Sequence, residues 1–105
     1  MKLNLTERFT LLGLLPAQGD FSTLKIMRKF REDLSTTEDE IKAFGIVQIG
    51  DQVKWNPKFA ENEVEILIGE MAMSIIEKLL KDLDDTKKLA NQHFTLYEKF
   101  IVQQT

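Results

Sequence analysis

Between Asn62 and Asp85 the chain carries its densest apolar content on an uninterrupted helical period, and this stretch limits the available folds more than any other. At 3.6 residues per turn Val64, Ile68, Met71, Ile75 and Leu79 fall on one side, widened by Leu67, Ala72 and Leu83, which reads as a core face. A second set lies on a neighbouring arc. Ile66, Met73 and Leu80 recur at spacing seven, with Gly69, Ile76 and Leu83 three residues behind each, as heptad a and d positions do. The wet arc, Glu70, Ser74, Glu77 and Lys81, is narrow. A helix apolar around most of its circumference must be covered on more than one side. The spacing therefore predicts a central helix over 62–85. Its stripe Ile66, Gly69, Met73, Ile76, Leu80 and Leu83 is then either core or the place where a partner protein or a second copy docks.

The 105 residues suffice for one domain with a single core and no staples. Absence of cysteine removes disulfides, thiolate chemistry and the usual structural zinc sites, and fits a cytoplasmic setting. The net charge of −3 is unevenly spread: residues 1–34 sum to +2, 35–60 to −1, 61–85 to −6 and 86–105 to +2. A nucleic acid would have to avoid the acidic central stretch. The leucine-rich run Leu11 to Leu15, bounded by Glu7, Arg8 and Pro16, is too short for a membrane span and wrongly flanked for a secretory signal.

Taken in order, Thr6 can cap a first helix carrying Phe9, Leu12 and Leu15, stopped by Pro16. Ser22 can cap a second helix to about Leu34, with Leu24, Met27, Phe30 and Leu34 inward and a basic outer face of Lys25, Arg28 and Lys29. Ser35 with Glu38, or Thr37 with Glu40, forms a capping-box pattern for a third helix that ends at Phe44-Gly45. Ile46–Ile49 and Gln52–Trp55 flank Gly50-Asp51, a hairpin turn that pairs Ile46 with Trp55 and Gln48 with Val53 on a face expected to be buried. Asn62 with Glu65 would cap the central helix, and a last helix runs from about Lys88 to Val102. The expected fold is mainly α with one β-hairpin, a single domain over 1–105 in winged-helix-like order: three short helices, hairpin, long central helix, C-terminal helix.

That order raises DNA binding, with the third helix in the groove and the hairpin as wing. Thr36-Thr37-Glu38-Asp39-Glu40 opens the would-be reading helix and Asp51 tips the wing, so carboxylates would face phosphates, and nucleic acid is disfavoured. His93, beside Phe94 and Tyr97, reads as a packing residue. Asp82, Asp84 and Asp85 begin like a calcium loop, but Lys87 stands where glycine and His93 where glutamate is required. Gly45 and Gly50 have the first spacing of a phosphate loop, yet Asp51-Gln52 replaces its Lys and Ser/Thr. No catalytic constellation, metal site, cofactor motif or small-molecule site emerges. Met27, Met71 and Met73 are adaptable side chains that read as core.

Leu5-Thr6-Glu7-Arg8 with Leu11-Leu12, Leu14-Leu15-Pro16 and Gly19-Asp20, and the ending Leu96-Tyr97-Glu98-Lys99-Phe100, resemble small proteins encoded in bacteriophage and prophage genomes. The resemblance implies a setting without a mechanism: binding of a host or phage protein in the host cytoplasm, or service as a minor virion or assembly component. The expected function is a non-enzymatic protein-interaction module, dimeric or partner-bound through the central helix.

Overall fold

The structure, a computed structural model, describes residues 1–103. Strand β1 (Lys2–Asn4) runs directly into helix α1 (Leu5–Leu14). The cap is Asn4 rather than Thr6: its side-chain oxygen accepts the Glu7 N–H at 2.8 Å while Glu7 Oε1 accepts the Asn4 N–H at 2.9 Å, a reciprocal capping box. Leu15 is extended because a residue before proline is kept out of the helical region, so the helix ends there. Helix α2 (Phe21–Leu34) is capped by Asp20, which accepts the Thr23 N–H at 2.7 Å, and not by Ser22. That bond also holds the Asp20 carboxyl below its usual range. Helix α3 (Glu38–Phe44) uses the Thr37 and Glu40 box and stops at Gly45 in the left-handed region at φ 65°.

Strands β2 (Val47–Ile49) and β3 (Gln52–Lys54) pair antiparallel with Gln48 opposite Val53, as the turn predicts. Gly50 has φ 61° and Asp51 does not have a positive φ, the type II′ choice of the two. The Ile46/Trp55 side is half-buried and not buried, because it lies over the edge of α1 instead of inside the core: Trp55 stacks on Phe9 with centroids 5.5 Å apart. The other face is open, with Val47 51% and Ile49 59% exposed.

The expected helix over 62–85 is two elements. Glu63–Glu65 forms strand β4, antiparallel to β1 with Leu3 opposite Val64, and the ladder continues as the Ile66 N–H donates to the Met1 carbonyl at 2.8 Å. Asn62 and Glu65 cap nothing there. Glu63-Val64-Glu65-Ile66 alternates charge and hydrocarbon, which suits a strand, and a waiting β1 partner decides the ambiguity against the helical spacing. Helix α4 (Glu70–Asp85) then starts at Gly69 with no side-chain cap. It ends with Lys87 at φ 58° and a Lys88 N–H bond to the Leu83 carbonyl at 2.7 Å, a Schellman-type stop built on a non-glycine residue. The C-terminal segment is a turn at Asn91–His93, helix α5 (Phe94–Tyr97) and a wider π-type turn over Glu98–Val102, one continuous spiral.

The core draws Leu3, Leu11 and Leu15 from the N-terminal elements, Met27, Phe30 and Leu34 from α2, Ile66, Ala72, Ile76 and Leu80 from the centre, and Leu96 and Phe100 from the end. None of residues 35–63 is buried. Helix α3 and the hairpin thus form an arm beside the core. Arg8, 2% exposed, fastens the arm: its Nε donates to the Leu34 carbonyl, Nη2 to the Ser35 carbonyl, and the guanidinium forks onto both oxygens of Glu40 at 2.6 and 3.2 Å.

Candidate protein-interaction surface

The apolar stripe that the sequence leaves as either core or docking face is core inside the chain. Ile66 is 4% exposed, Ile76 and Leu80 are fully buried, and Met73 and Leu83 are half-buried against the same core. Gly69 alone of the six is exposed, as the cap before α4. The outcome has a simple cause. Once Ile66 belongs to a strand, α4 turns the Ile76/Leu80 arc toward α2 and the C-terminal spiral; of the arc read from sequence as core, Ala72 stays buried and Val64, Ile68, Ile75 and Leu83 still pack against the core, while its Met71 edge faces outward. Met71 is 64% exposed in consequence, and Leu67, in the link before α4, is 85% exposed.

Beside Met71, between α2 and the first turn of α4, lies a groove of about 520 Å³. Ile26, Phe30 and Ala72 line it with Met71, and Lys25 and Lys29 stand along it. Lys29 is tied to Asp33 one turn on at 2.6 Å, a bond that also raises the lysine's pKa; Asp33 and Glu70 belong to the same lining. The walls are mainly hydrocarbon, and their few charges balance.

On the other flank of α2 lies a second groove, about 410 Å³, lined by Ala17, Phe21, Leu24, Lys25, Arg28 and Arg31. Phe21, which the Asp20 cap makes the first residue of α2, is 81% exposed. The Arg31 guanidinium is held by the Pro16 carbonyl at 3.1 Å, with the Leu15 carbonyl at 3.5 Å. The basic face Lys25, Arg28, Lys29 is therefore divided. Lys25 borders both grooves, Arg28 belongs with Arg31 to the second, and Lys29 belongs to the first. The sequence signal for Phe21, Leu24 and Arg31 was their spacing from Arg28 at seven, four and three residues, one face of a helix; reading Leu24 as inward concealed it.

The buried charges elsewhere hold elements together. Lys99 Nζ bridges the carboxylates of Glu7, at 2.8 Å, and Glu63, and donates to the Lys2 carbonyl at 2.8 Å. Burial lowers the Lys99 pKa, but its bonds to Glu63 and Glu7 outweigh that and leave it above the usual value. Glu7 is 1% exposed, and its Oε2 has no hydrogen-bond partner. His93 is buried, and its Nδ1 accepts the Ala90 N–H at 2.9 Å as part of the turn before α5. Among the described residues no three His, Asp or Glu side chains converge as a metal site requires. No helix among them is long and apolar enough to cross a membrane.

The winged-helix elements are also in place as objects. The first turn of α3 is Glu38, Asp39 and Glu40, the first two exposed, and Asp51 at the hairpin tip is exposed as well. Glu40 is occupied by Arg8, which also draws its carboxyl below the ordinary range. An acidic first turn presented outward opposes a phosphate backbone. Comparison of the chain with protein-family models, with curated proteins and with solved structures returns no match in any of the three.

Proposed function

We propose that the chain is a non-enzymatic protein-binding module whose docking element is α2, and that the apolar groove between α2 and the start of α4 receives the partner. The supporting observation is Met71. A side chain of this size left 64% exposed beside Ile26 and Phe30, at the edge of an apolar groove, offers a site for another surface. The resemblance to phage-encoded proteins suggests a host or phage protein as that surface; a second copy of the chain, giving a homodimer, would use the same groove.

The test compares wild type with Met71→Asp, a change at an exposed position that leaves the core intact. Light scattering over a range of concentrations reports self-association, and affinity capture from host lysate reports a partner. Loss of either interaction in Met71→Asp supports the reading. Equal retention by both proteins, or a wild type that captures nothing and stays monomeric, sinks it.

A further inference from the structure

Building on α2 as the docking element, we infer that the groove of Phe21, Leu24, Lys25, Arg28 and Arg31 selects the partner by charge, and that it takes an acidic amphipathic polypeptide segment of another protein. Three cations line this groove, and among the described residues no carboxylate does. Lys25 and Arg28 are exposed and pair with no described carboxylate. Acids do lie nearby on α2, but Asp20 is used on the Thr23 N–H, and Glu32 is exposed without an ion pair to Arg28.

The cations do not stand alone. Phe21 and Leu24 share the groove, so its chemistry alternates hydrocarbon and positive charge along one face of α2. From Phe21 to Arg31 the helix advances about 15 Å. That is roughly three turns of a partner helix, long enough to seat an apolar anchor against Phe21 and Leu24 with carboxylates over Arg28 and Arg31. Arg31, tethered to the Pro16 carbonyl, is pre-oriented and loses little freedom on forming such a pair. Nucleic acid fits less well. Its phosphates would satisfy the cations but leave Phe21, at 81% exposure, and Leu24 facing a charged backbone, and the protein's net charge of −3 repels a polyanion of high charge density.

The experiment selects binders from a displayed library of random peptides against wild type, then measures the affinity of synthesised winners by fluorescence anisotropy. The expected pool is enriched in Asp and Glu next to Leu, Phe or Trp. Its members should lose about tenfold or more in affinity on Lys25→Glu/Arg28→Glu, and lose it also as salt is raised. Phe21→Ser, which removes the apolar part without touching charge, should weaken them as well. Both variants lie on the exposed side of α2, and circular dichroism checks that they fold. An uncharged or basic pool, no enrichment, or winners indifferent to Lys25→Glu/Arg28→Glu overturns the inference. Winners of that kind that are lost in Met71→Asp would overturn it while leaving the binding-module reading standing. Tight binding of a short duplex DNA at low salt, abolished by the same double variant, would assign the groove to nucleic acid and overturn it. Concentration-dependent dimerisation abolished by that variant would assign it to a second copy and overturn it equally.

Discussion

Replacing Glu40 by Gln tests how the arm of α3 and the hairpin is held. Nothing in residues 35–63 is buried, so the arm depends on contacts at its root, chiefly the Arg8 fork and the Phe9–Trp55 stack. Arg8 is 2% exposed and the Glu40 side chain 18%, so both oxygens of a charge-assisted pair sit largely out of water. Glutamine keeps the shape but offers one neutral acceptor and turns a donor toward the guanidinium. Arg8 keeps its bonds to the Leu34 and Ser35 carbonyls, which limits the loss. The expected cost is about 1–2 kcal/mol, half or less of what an entirely orphaned buried charge would bring. For a chain of this size that is a fall in Tm of roughly 5–10 °C.

The pH dependence carries a sign. Glu40 has a folded pKa below its ordinary 4.5, so its contribution is complete above that value and is lost as pH falls through the lower folded one. Thermal denaturation followed by circular dichroism should show the gap between wild type and Glu40→Gln constant near neutrality and closing below pH 4.5. Hydrogen exchange should show α3 amides, such as Ile41 on the Thr37 carbonyl, opening faster in the variant while α2 and α4 amides change less. A gap under about 0.5 kcal/mol near neutral pH, or one undiminished in strong acid, or unchanged α3 protection, would refute the proposal that this pair is the arm's fastening.

The rotation of α4 makes a second prediction: in urea titrations Ile76→Ala or Leu80→Ala should cost about 2–5 kcal/mol and Met71→Ala less than about 0.5, and the reverse ranking would mean that α4 faces the other way. Lys87→Gly should stabilise by about 0.5–1 kcal/mol, since glycine holds a left-handed φ without strain; a lower Tm would show that the Lys87 side chain matters more than its backbone. Lys99→Met should cost about 3–5 kcal/mol by stranding Glu7, with part recovered in Lys99→Met/Glu7→Gln, and a cost no smaller in the double variant would argue against the ion pair. Because the Lys99 pKa is raised when folded, the wild type should lose this contribution as pH climbs past 10.5, a decline absent from Lys99→Met.

Local chemistry made much of this fold legible in advance. The Thr37/Glu40 box, the Gly45 stop, the Gly50-Asp51 turn with its Gln48/Val53 register and the break at Pro16 all depend on residues within a few positions of each other. Failures came where a distant segment decided. Val64 and Ile66 satisfy both periods, and β1, about sixty residues away, selects the strand. That one choice set the phase of α4, resolving the stripe left open as core or docking face into core and placing a supposed core methionine at the surface. Arg8 and Glu7 were unremarkable in sequence because their partners, Glu40 and Lys99, lie 32 and 92 positions away. Of the candidate surface, the basic residues of α2 were readable, whereas its division into two grooves was not, since both the Asp20 cap and the path of α4 had to be known.

The Lys99 bridge has a bearing on how the protein comes into being. Glu7 and Lys99 are 92 positions apart, which at ordinary synthesis rates separates their appearance by roughly 5–20 s. Through that interval the ammonium that accompanies the Glu7 carboxylate out of water in the folded protein is missing, which disfavours packing the inner face of α1. The core also takes Leu96 and Phe100 from the C-terminal spiral, so its packing is complete only once that segment has been made. Until then Leu3, Leu11 and Leu15 are open to chaperones and proteases, and the rate at which the C-terminal spiral docks sets how long that exposure lasts.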